Sequence, residues 1–245
     1  KQAIIGNECV LPFQPEGEYT LVAVINEDDE HYEITDLEDF SAATLSLKCE
    51  EESAVRKLQC DVYHGQKRTS FDRYSIITFE TDTVEVYKNT NNFSVTLKYV
   101  GGPLPDGEVT VNMTGNNGAY RFDNRVISEC YRKYHPHNLA TLTDTDPYCM
   151  RTMRLTTTTD LILNIEFQPA ATRLGRALPG KMLNIEIAEY LASVTDYSGR
   201  KLYDTDEKLE REDQFDLVLT LSTDYKLLSM KINNWAVVES GEDLH

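Results

Sequence analysis

Residues 215–221 read FDLVLTL, and this short stretch decides the fold class. An apolar side chain recurs there at every second position, at Phe215, Leu217, Leu219 and Leu221. Successive side chains of a β-strand point to opposite faces. This period of two therefore predicts a strand with one buried face.

The same alternation recurs through the second half of the chain. It is found at Val95–Tyr99, Val109–Met113, Leu161–Phe167, Leu183–Ile187 and Leu228–Ile232. Clusters of Gly, Pro, Asn and Asp at 101–107 and 116–118 separate several of these runs and predict tight turns. Short strands divided by such turns are typical of β-sandwiches.

The first part of the chain reads similarly but less regularly. Strands are predicted at Tyr19–Ile25, Leu45–Leu47, Ile76–Phe79 and Thr83–Tyr87, whereas Ile34–Phe40 fits either a short helix or an acidic loop. Elsewhere, short helices are predicted only within Asp204–Gln214 and Glu189–Val194. The polar segment Lys88–Asn92 indicates a boundary between two domains. We expect an all-β chain of two β-sandwich domains, residues 1–87 and 88–245, with few short helices.

Composition narrows the possible partners. The 245 residues include 24 Lys+Arg and 41 Asp+Glu, which gives a net charge of −17. Nucleic-acid binding needs clustered basic residues, so a phosphate backbone is an unsuitable partner. Anionic membrane surfaces are disfavoured for the same reason. Because the chain starts at Lys1 without a signal peptide, we expect a processed product.

No arrangement of side chains indicates catalysis. His135 and His137 could share a metal ion with Asp144 or Asp146, but a plain polar loop is the favoured interpretation. No nucleophile, nucleotide-binding or zinc motif is found. We therefore predict no enzyme, no cofactor and no metal site.

The five cysteines leave two interpretations open. Cys49 could pair with Cys60, and Cys130 with Cys149, in an oxidising compartment; alternatively, all are free thiols. Cys9 is left over in the first case.

Several short motifs together resemble the FimB-like fimbrial anchor family, in order along about 90% of the chain. They are KNTNN at 88–92, NNG at 116–118 with Tyr120 and FDN at 122–124, IAEYL at 187–191, KLEREDQF at 208–215 and INNWAVV at 232–238, with weaker matches at 17–20 and 63–65. The family's lipid-bearing first cysteine is not visible, since Cys9 lies too far into the strand pattern to fill that role.

The resemblance implies a non-enzymatic surface lipoprotein of Gram-negative gut and oral bacteria. Its domains would be sandwiches of transthyretin-like topology. Its partners would be other fimbrial subunits and, through a lipid anchor outside this chain, the outer membrane. Related subunits join when a strand of one fills a groove in the next, which is strand addition to an incomplete sheet.

The C-terminal segment Leu228–Val238 is the candidate contact strand. Its inward residues are Leu228, Met230, Ile232, Trp235 and Val237, and the phase shift at 233–234 indicates a bulge or bend. This strand pairs either with another subunit or within its own domain, and the second interpretation is favoured. An alternative function is a surface adhesin or carbohydrate-binding module on the same scaffold.

Overall fold

The computed structural model describes residues 15–26, 30–49, 53–56, 60–72, 83–100, 107–141, 146–170, 179–222 and 224–238. In these ranges the chain forms mostly β-structure, with two short α-helices and one 3-10 turn at Leu139–Thr141. The predicted all-β class is therefore confirmed.

The strands and helices have the following bounds. The strands are β1 (Gly17–Ile25), β2 (Tyr32–Thr35), β3 (Thr44–Leu47), β4 (Ala54–Val55), β5 (Tyr63–Phe71), β6 (Tyr87–Lys88), β7 (Thr90–Tyr99), β8 (Gly107–Gly115), β9 (Ala119–Arg121), β10 (Arg132–Tyr134), β11 (Tyr148–Met153), β12 (Leu161–Pro169), β13 (Lys181–Glu186), β14 (Gln214–Leu221), β15 (Leu227–Ile232) and β16 (Trp235–Val238). The helices are α1 (Ile187–Ser193) and α2 (Asp206–Glu210).

Two five-stranded sheets carry most of the structure. Their strand orders are β13-β12-β8-β10-β4 and β11-β7-β14-β15-β16. Strands β4 and β10 pair in parallel, as do β7 and β14. The other neighbours in these two sheets are antiparallel. Two three-stranded sheets, β1-β5-β6 and β2-β3-β9, complete the arrangement.

The inward side chains of the two large sheets form one apolar core. Phe215, Leu217, Leu219 and Leu221 are all 0% exposed, as the alternation in β14 predicts. Tyr99 on β7 contacts Phe167 on β12 with ring centroids 6.4 Å apart, so the two sheets face each other. Full burial of each such side chain stabilises the fold by roughly 1.5–3 kcal/mol.

Strands from the first part of the chain pair with strands from the second. β3 pairs with β9, and β4 pairs with β10. The predicted domain boundary at residues 87 and 88 and the transthyretin-like strand order stay predictions.

Two predicted elements of the first part differ in the structure. Residues 34–40 are predicted to form a short helix or an acidic loop. In the structure, residues 34 and 35 are the end of strand β2, and turns follow them. The side chain of Asp39 accepts a hydrogen bond from the Ser41 amide at 2.9 Å, and such local bonds compete with helix. The strand predicted at Thr83–Tyr87 is reduced to β6. The backbone of Glu85 passes very close to Gly65: a Cβ atom on Gly65 would lie 2.0 Å from the Glu85 carbonyl oxygen. The strand predicted at 76–79 lies outside the described residues.

The two helix predictions are confirmed in kind. α1 covers most of the predicted 189–194, and α2 is shorter than the predicted 204–214 because Gln214 already begins β14. The side chain of Thr205 caps α2 by accepting a hydrogen bond from the Lys208 amide at 3.4 Å. Leu209, only 4% exposed, fixes this charged helix to the core.

Candidate functional site

The predicted contact strand at 228–238 is a hairpin rather than one strand. β15 and β16 run antiparallel, and Asn233 and Asn234 form the turn between them. These two residues have φ of 48° and 69°, the left-handed values that a two-residue hairpin turn requires. The predicted bulge or bend is therefore a complete chain reversal. A separate bulge interrupts the β15–β16 register beyond the turn, between Met230 and Lys231.

The reversal divides the five candidate residues into two groups. Leu228, Met230 and Ile232 lie on β15, which is bonded to β14 on one side and to β16 on the other. Met230 and Ile232 are fully buried. Trp235 and Val237 lie on β16, at the border of the sheet, and pack against the core while remaining partly exposed. Of the two strands, β16 is the one that offers an edge to a partner.

Ala236 presents the outward backbone groups of this edge. In a hairpin with a two-residue turn, the flanking residues, here Ile232 and Trp235, exchange both hydrogen bonds. The next pair is Lys231 and Ala236, so Ala236 directs its N–H and C=O away from β15. Within the described ranges, no further strand pairs with β16.

The side chain of Asn233 holds the hairpin against β14. Its Oδ1 accepts a hydrogen bond from the Asp216 amide at 2.7 Å. Its Nδ2 donates to the Gln214 carbonyl oxygen at 3.0 Å and to the Tyr203 hydroxyl at 3.1 Å. The position of the edge is therefore fixed by side-chain bonds as well as by the strand ladder.

An aromatic pair lies beside the same edge. The ring centroids of Tyr197 and Trp235 are 4.9 Å apart, with an angle of 57° between the ring planes. Tyr197 is 100% exposed, whereas Trp235 is partly buried against the core. The sequence pattern identified Trp235 but not Tyr197. Tyr197 lies in a Tyr-Ser-Gly turn, where no alternation of apolar and polar residues marks it.

Asp196 makes the turn under Tyr197 rigid. Its Oδ1 accepts hydrogen bonds from the Ser198 amide at 2.9 Å, the Ser198 hydroxyl at 2.6 Å and the Arg200 amide at 3.0 Å. Its Oδ2 pairs with the Arg200 guanidinium at 3.1 Å. The Ser198 bonds, followed by those of Arg200, lower the pKa of Asp196 to about 2. The Asp196 carboxylate therefore stays ionised, and able to accept these hydrogen bonds, at any physiological pH.

The KNTNN segment is a buried polar junction rather than an exposed loop. Asn89, Thr90 and Asn91 are at most 1% exposed. Asn91 donates to the Glu212 carbonyl oxygen at 2.8 Å and accepts from the Leu155 amide at 2.7 Å. These side chains meet the backbone's hydrogen-bonding needs where β7, β11 and β14 converge, which gives the motif a structural role.

Asp61 links this junction to the first part of the chain. It accepts a hydrogen bond from Thr90 at 2.9 Å and forms ion pairs with Lys88 at 3.5 Å and Arg151 at 3.3 Å. Lys88 also reaches Asp213, at 3.7 Å. A single carboxylate from the loop before β5 thus contacts both β7 and β11.

His64 is a buried titratable group near the junction. It is 2% exposed, and its Nε2 has no hydrogen-bond partner. Burial, followed by the nearby Arg154 guanidinium, lowers the pKa of His64 to about 4. The imidazole is therefore neutral near pH 7.

The remaining sequence candidates do not converge on one centre. His137 is exposed and His135 is partly buried, and no cluster of three metal-binding side chains occurs in the described part of the chain. Asp144 lies outside it. The four described cysteines are unpaired, which agrees with the free-thiol interpretation of the two left open by the sequence: Cys49, Cys60, Cys130 and Cys149. Among the helices of the described ranges, none is long and apolar enough to cross a membrane.

Residues 2–241 match the model of a protein family described as fimbrillin-A associated anchor proteins Mfa1 and Mfa2. The match confirms the resemblance drawn from the short motifs. Comparison with curated proteins finds no match.

Solved structures share this fold. A candidate polysaccharide-binding protein of Bacteroides thetaiotaomicron superposes with a TM-score of 0.72 at 20% identity, covering 95% of this chain and 79% of the other. A candidate adhesin of Bacteroides ovatus gives 0.65 at 18% identity, with 95% and 77% coverage. The fimbrial anchor protein Mfa2 of Porphyromonas gingivalis gives 0.63 at 17% identity, with 93% and 79% coverage.

Proposed function

Because the chain belongs to the family of fimbrillin-A associated anchor proteins, it is a fimbrial component of the cell surface, and we propose that it serves as the base anchor or a minor subunit of its fimbrium. In this role it works by contact with other fimbrial subunits and carries out no chemistry. Attachment to the outer membrane through a lipid, outside the described residues, belongs to the same proposal.

The edge strand β16 supports this role. It lies at the border of a five-stranded sheet, and Ala236 directs its N–H and C=O outward. Trp235 and Val237 are partly exposed beside these groups. An extended strand from another subunit would satisfy the backbone groups and cover the apolar side chains together. The contact is then a continuation of the sheet.

The test removes the outward N–H of Ala236. Proline lacks this group and is tolerated on edge strands where the N–H faces solvent. We therefore expect Ala236→Pro to fold normally and to lose association with the matching shaft subunit, measured by pull-down and native gel.

Ala236→Thr is the matched control, because threonine keeps the N–H and suits a strand. It should bind as the unchanged protein does. If the proline variant keeps full association, β16 is not the contact edge. If the unchanged, lipidated full-length protein also fails to associate, the anchor role itself is wrong.

A second candidate function is adhesion through carbohydrate binding on the same scaffold. Two of the superposed structures are described as a candidate polysaccharide-binding protein and a candidate adhesin. In this chain the observation that favours the function is the exposed aromatic pair at Tyr197 and Trp235. Incubation with immobilised glycans, with binding of the full chain as the readout, tests it.

A further inference from the structure

We propose that Tyr197 and Trp235 form a stacking platform for the sugar rings of a neutral glycan. This inference rests on the second candidate function and names its site and its ligand class. The platform lies at the border formed by β16 and the turn at 195–201.

The exposure of Tyr197 is the first argument. Its side chain is 100% exposed, so it contributes little apolar burial to the fold. Its ring nevertheless lies 4.9 Å from that of Trp235, measured between centroids. A fully exposed aromatic ring beside a partly exposed one is a feature of binding surfaces, because each ring combines apolar area with a polar tip.

The rigidity of the turn is the second argument. Asp196 receives three hydrogen bonds within the turn and pairs with Arg200. Gly199 closes the turn with φ of 81°. A ring held on an ordered turn loses little conformational entropy when it binds a ligand. On the other side, Asn233 fixes the hairpin that carries Trp235.

The size of the platform favours a sugar over a protein. A Tyr and a Trp can bury roughly 150–250 Å² each, whereas a stable protein interface needs about 800 Å² from each partner. The platform alone is therefore too small for a lasting protein contact. It suits one or two pyranose rings, whose C–H faces stack on aromatic rings while their hydroxyls stay in water.

Charge favours a neutral glycan over an acidic one. The chain has a net charge of −17, which repels polyanions. The turn carries two cations: Arg200 is paired with Asp196 at 3.1 Å, and Lys201 lies close enough to Asp204 to interact with its carboxylate. Each cation of this turn therefore already faces a carboxylate of the protein, with which a uronic-acid polymer would have to compete.

Trp235 makes the test direct, because it is the only tryptophan of the chain and its emission reports on the platform alone. The full chain is titrated with maltohexaose, cellohexaose and mannohexaose, and with polygalacturonate as the acidic comparison. We expect a saturable change in emission with at least one neutral hexasaccharide and none with polygalacturonate.

Three variants define the site. Tyr197→Ala should weaken the binding at least tenfold, and Tyr197→Phe, which keeps the ring, should retain it. Tyr131→Ala removes another tyrosine that is 51% exposed and should have no effect. Binding of the variants is also measured by calorimetry, because Tyr197 itself contacts the fluorophore.

The outcomes separate the site from the function. If the unchanged protein binds a glycan and Tyr197→Ala binds it equally well, adhesion stands and the platform is wrong. If no neutral probe binds, or polygalacturonate binds as well as a neutral one, the neutral-glycan proposal is overturned. If Tyr197→Ala instead loses only its binding to the shaft subunit and keeps its binding to glycans, the aromatic pair is a protein contact and the proposal is overturned.

Discussion

Arg154 and Glu210 form an ion pair of 3.1 Å in which the arginine side chain is 6% exposed and the glutamate 25%. The same guanidinium donates to the Asn124 carbonyl oxygen at 3.3 Å and lies 5.7 Å from the centre of the Tyr120 ring. Arg154 therefore joins α2 to the loop after β9. Neither Arg154 nor Glu210 belongs to the candidate edge strand β16. Substitutions of this pair therefore test the stability of the fold without changing the proposed contact surface.

Replacing Arg154 should destabilise the protein strongly. Arg154→Ala leaves Glu210 and the Asn124 carbonyl without their donor, and we expect the free energy of unfolding to fall by about 2–3 kcal/mol. Urea denaturation followed by circular dichroism measures it. Arg125→Ala is the control, since Arg125 is 83% exposed in its pair with Asp123 and should change stability by less than about 0.5 kcal/mol. Equal effects would show that burial of Arg154 does not matter.

Burial of His64 should make the protein less stable in acid. Its pKa is lowered to about 4 in the folded state from 6.5. Between these values the unfolded chain binds a proton that the folded chain does not, so stability falls as the pH drops from about 6.5 towards about 4. Over the full window the loss reaches about 3 kcal/mol, and above about pH 6.5 the group contributes no pH dependence.

The variant His64→Leu removes this titration. Unfolding midpoints of both proteins are compared at about pH 7.5 and about pH 5. The carboxylates are the same in both proteins, so the difference between their two pH responses reports on His64. The variant should lose less stability on acidification than the unchanged protein does. Parallel losses in the two proteins would rule out His64 as a source of the pH dependence.

The turn at Asn233 and Asn234 should respond oppositely to two substitutions. Asn234 has φ of 69° and an exposed side chain, so Asn234→Gly should leave stability unchanged or raise it by up to about 1 kcal/mol. Asn233→Ala removes three side-chain hydrogen bonds and should cost about 1–2 kcal/mol. Thermal unfolding of both variants checks the signs. If Asn233→Ala is neutral, the turn is not held by its side chain.

The four cysteines in the described part of the chain should react in two groups. Cys49 and Cys60 are exposed, whereas burial raises the thiol pKa of both Cys130 and Cys149. Since the thiolate is the reactive form, a brief pulse of iodoacetamide should label Cys49 and Cys60 first, as read by peptide mass spectrometry. Labelling of these two only after reduction would instead establish the disulfide that the structure lacks.

The sheet core was predictable because its signal is local. In β14 an apolar residue at every second position suffices to assign the buried face, and Phe215 and Leu217 are fully buried as expected. The same pattern could not distinguish a bulge from a reversal at Asn233, because both change the phase of the alternation. Only the pairing of β15 with β16 decides between them.

The polar junction could not be predicted because its partners are distant in sequence. Lys88–Asn92 carries the residues of an exposed turn, and composition alone places it at a boundary. The side chain of Asn91 is buried because it meets the Glu212 carbonyl oxygen and the Leu155 amide. Tyr197 was missed for a related reason, since its neighbour Trp235 lies on another element.

The parallel pairing of β7 with β14 has a consequence for how the chain acquires its structure. β7 is bonded on one side to β14, and Asn91 finds its acceptor 121 residues further along. Such a high contact order slows folding, because the intervening loop must close before the contact is gained. The central sheet cannot be completed until residues 214–221 are available to pair with β7. Until then β7 lacks this neighbour, and the central sheet remains incomplete while the protein is carried to the cell surface.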